Sequence, residues 1–326
     1  MEKGRVCVTG GTGFVASWLI KRLLEDGYSV HATTRDPGKN DMSYLTNLPR
    51  AKEKLKLFAA DLSEPDSFNE AIDGCIGVFH VAHPLDFENR EPEEVVIQRA
   101  IRGTLGILRA CLDSKSVKRV VYTSSVAAVQ FSNDKEREMV DESVWSDVDY
   151  ARKVKYLGNS YVVSKTLTEK AALDFAQQNG LDLVTVLPSM ITGPFINPQI
   201  PGSVSAALSM ILGIKEMYHF LYKVSMVHTE DVARAHIFLL EYSDAKGRYI
   251  CSSDDTSILE LAEFLSTKYP EYQIPSAGEL KDVKGYGYEQ KPNVSKKLLE
   301  TGFKYKYGIP EMFEGAIECC KEKGLL

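Results

Sequence analysis

The N-terminal 187 residues alternate short β-branched segments with amphipathic helical segments, and this alternation most strongly limits the fold. Strands are predicted at residues 5–9, 29–34, 54–61, 77–82, 119–125 and 181–187. Helices are predicted between them at residues 14–26, 65–73, 93–114 and 159–179. Strands that are separated by helices form βαβ units and a parallel sheet with helices on both faces. The sequence therefore predicts an α/β fold with a doubly wound parallel sheet.

A glycine-rich loop, TGGTGFVA at residues 9–16, joins the first predicted strand to the first predicted helix. Its small residues are spaced G-x-x-G-x-x-A. The first glycine permits a tight turn, the second admits a phosphate to the backbone, and the alanine lets helix and strand pack closely. The free N–H groups of the helix terminus attract a pyrophosphate. The loop predicts a dinucleotide site whose contacts are Gly10, Thr12, Gly13, Phe14 and Val15.

The end of the second predicted strand selects between the two nicotinamide cofactors. Arg35 and Asp36 stand there, and Lys39 follows. An arginine fork binds a ribose 2′-phosphate, whereas an acid binds the free ribose hydroxyls of NAD. The pattern favours NADP(H), with a solvated Arg35–Asp36 pair as the alternative. Asp61 and Leu62 are placed to bracket the adenine, unless Asp61 caps the helix that follows it.

After residue 187 the pattern is less regular. A proline-rich stretch, 188–201, precedes a short apolar run at 226–228, a predicted strand at 248–252 and predicted helices at 204–212, 229–241, 258–268 and 310–321. We see no internal repeat or low-complexity linker. We therefore predict a Rossmann domain for NADP over residues 1–187 and a substrate-binding lobe over 188–326, partly interleaved with it.

Composition excludes several other classes of protein. The 326 residues include 39 Lys and Arg against 45 Asp and Glu, a net charge of −6, which argues against a nucleic-acid binder. No apolar stretch is long enough for a membrane span, and the N-terminus has no signal-peptide pattern, so a cytoplasmic protein is expected. The six cysteines are scattered without a C-x-x-C pair, so we predict reduced thiols and no metal site. No long apolar pair of surface helices stands out, which favours a monomer.

Tyr161 and Lys165 form Y-x-x-x-K within a predicted helix, so both side chains lie on one helical face. An ammonium near a phenol favours the phenolate, and Lys165 is therefore expected to lower the pKa of Tyr161 from its usual value of about 10. A serine at the end of the fifth predicted strand, Ser124 or Ser125, can hydrogen-bond a substrate carbonyl. Together with the glycine loop, these residues predict an oxidoreductase site.

Several segments match one family closely. They are VCVTGGTGF at 6–14, GVFHVAHPLDFE at 77–88, VYTSS at 121–125, YVVSKTLTE at 161–169 and MVHTEDVARAHI at 226–237. The chain resembles, over nearly its whole length, the plant branch of the extended short-chain dehydrogenase/reductases, which includes dihydroflavonol 4-reductase, vestitone reductase and noscapine synthase. The resemblance implies hydride transfer with NADP(H), in which Ser125, Tyr161 and Lys165 are catalytic. It also implies cofactor contacts at Val81, Ala82, Pro188 and Ile191, besides Tyr161 and Lys165.

The same resemblance implies substrate contacts, and this chain departs from the usual residues there. Gln130 stands where dihydroflavonol reductases have an asparagine that binds the flavonoid B-ring, and Ser225 replaces a glutamine that contacts substrate. His83 replaces the usual Thr or Ser before a proline, and either contacts substrate, adds an acid–base group near neutral pH, or serves only packing. Ser125 and Tyr161 complete the predicted substrate contacts.

Three functions follow as alternatives. The first is NADPH-dependent reduction of a carbonyl in an aromatic plant metabolite of the isoflavanone or flavonoid type, with Tyr161 as proton donor. The second is NADP-dependent oxidation of an alcohol or hemiacetal in an alkaloid. The third is a dinucleotide-binding sensor without catalysis, which intact Ser125, Tyr161 and Lys165 argue against.

Overall fold

A computed structural model describes residues 3–38, 41–84, 90–132, 138–153, 158–285, 291–293 and 295–326. The strands within these ranges are β1 Arg5–Val8, β2 Ser29–Thr34, β3 Leu55–Ala59, β4 Gly77–His80, β5 Arg119–Thr123, β6 Leu183–Pro188, β7 Met190–Thr192, β8 Lys223–His228, β9 Gly247–Cys251 and β10 Asp254–Ser257. The longer helices, of eleven residues or more, are α1 Phe14–Glu25, α5 Glu93–Ser114, α8 Asn159–Asn179, α11 Thr229–Glu241, α12 Ile258–Lys268 and α15 Ile309–Glu322.

The remaining helical segments are short. They are α2 Ser43–Thr46, α3 Ala51–Lys54, α4 Asn69–Ile72, α6 Ala127–Gln130, α7 Val148–Lys153, α9 Gly202–Ala207, α10 Ser209–Leu212, α13 Ala277–Leu280 and α14 Lys296–Glu300, with 3-10 turns at Pro65–Phe68 and Lys215–Leu221.

The main sheet has seven parallel strands in the order β3-β2-β1-β4-β5-β6-β9. Helices α1 and α11 pack on one face, where Leu19 and Val232 share a core with Val6 of β1. Helices α5 and α8 pack on the other, where Ile107 contributes to a core with Cys7. Because β1 is covered on both faces, its apolar residues form a continuous run. The predicted doubly wound α/β fold is confirmed.

The C-terminal part of the chain returns to this sheet. Strand β9 pairs with β6 through Val184 and Gly247, and Trp18 of α1 donates a hydrogen bond of 2.8 Å to Glu230 of α11. A second sheet, in the order β10-β8-β7, packs with α12 and α15 around Met226. The short apolar run at 226–228 extends to six residues as β8, which pairs with strands on both sides.

Two predicted helices are wrong in detail. The segment 65–73 starts as a 3-10 turn because the hydroxyl of Ser67 donates to the carbonyl of Glu64 (2.6 Å), which competes with helical hydrogen bonding. The segment 204–212 divides into α9 and α10 at Leu208, whose ψ of 7° departs from helical geometry. Within the described ranges, no helix combines the length and the apolar character needed to cross a bilayer.

Candidate active site

The glycine loop turns tightly at the carboxyl end of β1. Gly10 has φ +69°, and a Cβ there would lie 3.0 Å from the Cα of Ala82, so glycine is required by conformation and by space. The N–H of Gly11 donates to the carbonyl of Thr33 (2.7 Å), and that of Gly13 donates to Gly10 (2.8 Å). Gly13 is exposed immediately before α1. This exposed cradle at a helix N-terminus fits the pyrophosphate of a dinucleotide.

A buried hydrogen-bond chain holds the facing end of β4. The Oγ1 of Thr9 accepts from the N–H groups of Val81 and Ala82, each at 3.0 Å. The hydroxyl proton of Thr9 is then directed to Nδ1 of His80 (2.9 Å), so the imidazole carries its hydrogen on Nε2, 2.9 Å from the Oγ1 of Thr104. Burial, with a smaller effect of the Lys165 charge, lowers the pKa of His80 to about 3 and keeps it neutral.

The residues predicted for the adenosine end follow β2 and β3. Arg35 and Asp36 come directly after β2 and are exposed. The carboxylate of Asp61 accepts from the N–H of Ser63 (2.7 Å) in a local turn, whereas the helical segment that follows starts after Glu64 without a side-chain cap; Leu62 is half-buried. Lys39 lies outside the described residues. Because parallel strands direct their carboxyl ends to one edge, these positions share that edge with the glycine loop.

Ser125, Tyr161 and Lys165 meet beside the same edge. Ser125 lies in the turn from β5 to α6, and its Oγ accepts from the N–H of Ala127 at 3.1 Å. Its hydroxyl makes a side-chain hydrogen bond with Tyr161 of α8. The Nζ of Lys165, one helical turn further, lies 5.9 Å from the centroid of the Tyr161 ring. The structure therefore brings the three predicted catalytic residues together.

The expected effect of Lys165 on Tyr161 is wrong in this structure. The pKa of Tyr161 is raised because the phenol is buried, and the hydrogen bond with Ser125 only partly opposes this. The ammonium of Lys165 is directed to the main-chain carbonyl of Thr123 (2.9 Å) instead. Burial lowers the pKa of Lys165 itself from 10.5 to about 7, and the charge of Glu169 opposes that fall.

Glu169 is a buried carboxylate that the sequence analysis missed. It accepts hydrogen bonds from Ser124 (2.7 Å), from Thr185 (2.6 Å) and from Nε of Arg248 (2.9 Å). The guanidinium of Arg248 also lies over the ring of Trp145, 3.6 Å from its centroid. The spacing Tyr161, Lys165, Glu169 places three polar groups on one helical face, and this signal was available in the sequence.

His83 borders the phenol. Its Nε2 lies 3.2 Å from the Oγ of Ser164, and its ring meets that of Tyr161 edge-on, with centroids 5.9 Å apart. Burial lowers the pKa of His83 well below its usual value, and the charge of Lys165 acts in the same direction. His83 is therefore a neutral group that contacts the predicted proton donor.

Gln130 and Ser225 differ in how their polar atoms are used. Gln130, at the end of α6, is only 5% exposed, and its Nε2 has no hydrogen-bond partner within the described part of the chain. Ser225 of β8 is also buried, but its hydroxyl donates to the carboxylate of Asp255 on β10. Among the described residues, the Gln130 donor is thus buried without a partner, whereas the Ser225 donor is used within the protein.

Pro188 and Ile191, predicted near the cofactor, flank the turn from β6 to β7. The carbonyl of Pro188 accepts from the N–H of Val126 at 3.1 Å, which ties β6 to the segment after Ser125. Ile191 is half-buried in β7. The site therefore combines an anion cradle with a hydroxyl, a phenol and an ammonium, which suits proton transfer beside a bound dinucleotide.

The chain is similar to known proteins in sequence and in fold. Residues 6–251 match the model of the NAD dependent epimerase/dehydratase family. Vestitone reductase of Medicago sativa is 56% identical over 99% of both chains, and a dihydroflavonol 4-reductase of Arabidopsis thaliana is 47% identical over all of this chain and 84% of its own. The crystal structure of the alfalfa vestitone reductase superimposes with a TM-score of 0.89, at 53% identity over 99% of this chain and 100% of that one.

Both relatives are named as reductases, and the resemblance stated from the motifs is confirmed. The chain is an oxidoreductase of CH–OH and C=O groups that belongs to the NAD dependent epimerase/dehydratase family, within the plant extended short-chain dehydrogenase/reductases that include dihydroflavonol 4-reductase and vestitone reductase.

Proposed function

We propose that this protein uses NADPH to reduce a carbonyl in an aromatic plant metabolite of the isoflavanone or flavonoid type. The observation that carries the proposal is the hydrogen-bonded pair of Ser125 and Tyr161, with Lys165 beside it, at the same sheet edge as the glycine loop. The likeness to vestitone reductase and to dihydroflavonol 4-reductase supports the substrate class.

In the proposed reaction the reduced nicotinamide, when bound, supplies the hydride to the carbonyl carbon. Tyr161 donates its phenolic proton to the carbonyl oxygen, and Ser125 donates a hydrogen bond that stabilises the charge developing there. The raised pKa of Tyr161 keeps the phenol protonated until that oxygen becomes basic. Lys165, whose Nζ lies beside the phenol ring, would bind the ribose of the cofactor. The carbonyl thereby becomes an alcohol.

The cradle of Gly10, Gly13, Phe14 and Val15 would hold the pyrophosphate, and exposed Arg35 would bind the 2′-phosphate. Arg35→Ala is expected to raise the Kd for NADPH about 10- to 100-fold, because charge-assisted hydrogen bonds contribute about 1.5–3 kcal/mol. The Kd for NADH, which lacks that phosphate, should stay the same. Fluorescence titration with both cofactors measures this.

The matched control for Arg35 is Arg109→Ala. Arg109 is an exposed arginine near the C-terminal end of α5, and that end leads into the opposite edge of the sheet. The Kd of the Arg109→Ala variant for NADPH should equal that of the wild type. Equal weakening of NADPH and NADH in Arg35→Ala would refute the assignment to the 2′-phosphate.

We propose that the buried donor of Gln130 binds an oxygen of the substrate. Gln130→Leu is expected to lower kcat/KM about tenfold for a substrate that carries a ring hydroxyl, and to leave the analogue without that hydroxyl unchanged. The free energy of unfolding should not fall, because the donor has no partner within the described residues. Steady-state kinetics with the two analogues and chemical denaturation measure both effects. A uniform loss on both analogues would contradict the role.

Two further substrate contacts are proposed. His83, whose ring edge contacts Tyr161, would border the reacting carbonyl as a neutral group. Ser225 would act as an acceptor, since its proton is directed to Asp255. The monomeric state, the cytoplasmic location and the division at residue 187 remain predictions.

The overall function is tested by turnover of a mixed panel with NADPH and, separately, with NADP⁺, read by mass spectrometry. The panel contains isoflavanones, dihydroflavonols, other aryl ketones and hemiacetal alkaloids. Reduction of one phenolic class supports the proposal. If the only turnover is oxidation of an alkaloid with NADP⁺, the reductase proposal is replaced by the dehydrogenase alternative. If no substrate of the panel is turned over although NADPH binds tightly, the assigned substrate class is refuted.

A further inference from the structure

The segment that follows β7 reaches back to the glycine loop through Asn197. The Nδ2 of Asn197 donates to the carbonyl of Thr12 (2.8 Å), and its Oδ1 accepts from the hydroxyl of Ser17 on α1 (3.1 Å). Asn197 is half-buried. Asn197, in the C-terminal part of the chain, therefore contacts both the glycine loop and the first turn of α1.

These contacts fix one particular peptide unit. The carbonyl of Thr12 and the N–H of Gly13 belong to the same planar group. Asn197 binds the carbonyl, while the N–H donates to the carbonyl of Gly10 at 2.8 Å. A glycine on one side of this unit makes rotation easy, since glycine has few steric limits. With both ends bonded, the unit cannot rotate without losing a hydrogen bond.

The segment that carries Asn197 is itself held firmly. Phe195, two residues before it, is 1% exposed in the core that surrounds Met226. Pro194 packs closely against α15, since a Cβ on Gly315 would lie 2.8 Å from its Cδ. Asn197 therefore connects the core of the C-terminal part to the loop before α1, rather than extending from a loose chain.

We propose that Asn197 is a positioning residue for the dinucleotide pyrophosphate. By holding the Thr12–Gly13 peptide, it keeps the N-terminal N–H groups of α1 directed at the phosphates. The inference rests on the proposed use of a dinucleotide, but not on the identity of the substrate. If Asn197 has this role, the folded C-terminal part of the chain affects the affinity of the protein for the pyrophosphate of the dinucleotide. The affinity for the adenosine end does not depend on it.

The test compares two ligands, NADP⁺ and 2′-AMP, in Asn197→Ala and Asn197→Leu. 2′-AMP carries the adenine and the 2′-phosphate but no pyrophosphate. Loss of one hydrogen bond and of a fixed peptide should raise the Kd for NADP⁺ about five- to tenfold. The Kd for 2′-AMP should stay within twofold of the wild type. Calorimetric titration measures both constants.

Asn179→Ala is the matched control. Asn179 is an exposed asparagine at the end of α8 whose Nδ2 also donates to a main-chain carbonyl, that of Phe175, at 2.8 Å. Its Kd values should equal those of the wild type. Unchanged NADP⁺ binding in both Asn197 variants, or equal weakening of NADP⁺ and 2′-AMP, would overturn the inference. If the wild type does not bind NADP⁺, the proposed function fails first, and the inference with it.

Discussion

Tyr161→Phe should lower kcat/KM for carbonyl reduction by about a thousandfold, within the range of about 10²–10⁴ that general acid catalysis contributes. Phenylalanine keeps the ring that meets His83 and the packing of α8, so the substitution removes only the hydroxyl bonded to Ser125. The Kd for NADPH should change by less than about threefold. Steady-state rates and fluorescence titration of the same preparation separate the two effects.

Two further variants sharpen this result. Ser125→Ala should also lower the rate, because it removes a donor to the same substrate oxygen. Tyr222→Phe, which removes the hydroxyl of an exposed tyrosine, should have the wild-type rate. Wild-type turnover by Tyr161→Phe would exclude the phenol as the proton donor. Loss of both turnover and NADPH binding would mean that the phenol serves the cofactor instead.

Arg248→Met should lower the free energy of unfolding by about 3–5 kcal/mol, the usual effect of removing one partner of a buried ion pair. Glu169 is fully buried, and Arg248 donates to both of its carboxylate oxygens. Without the guanidinium, the buried carboxylate of Glu169 would lose its paired charge. Urea denaturation followed by circular dichroism measures the loss.

A double variant and a surface variant test the cause. Arg248→Met with Glu169→Leu should regain much of the lost stability, because no unpaired charge remains, although Ser124 and Thr185 lose an acceptor. Lys268→Met removes one partner of an exposed ion pair with Glu314 and should cost less than about 1 kcal/mol. If Arg248→Met cost as little as Lys268→Met, the buried pair would not stabilise the fold.

The ion pair also concerns catalysis, because Glu169 lies one helical turn beyond Lys165. The charge of Glu169 opposes the fall of the Lys165 pKa. Structural stability and the charge of the ammonium thus depend on the same buried carboxylate. Glu169 thus lies outside the reacting atoms, yet three side chains donate hydrogen bonds to it in the core.

Patterns that are local in the sequence determined most of the fold. The alternation of strands and helices indicated the parallel sheet, since periodicity reports which face of each segment is buried. The glycine loop at residues 9–16 indicated a dinucleotide site, because the spacing of its small residues is local in the sequence. The spacing of Tyr161 and Lys165 placed them on one face of α8, and the family resemblance selected Ser125 from the two serines that end the fifth strand.

Only the tertiary structure decided the long-range pairings. It showed that β9 completes the main sheet beside β6, that Arg248 binds Glu169, and that Asn197 holds Thr12. It also directed the ammonium of Lys165 to the carbonyl of Thr123. Partners separated by tens to hundreds of residues leave no period or spacing in one sequence. Which groups become partners depends on which polar groups are removed from water by burial. That set of buried groups is defined only once the chain has packed.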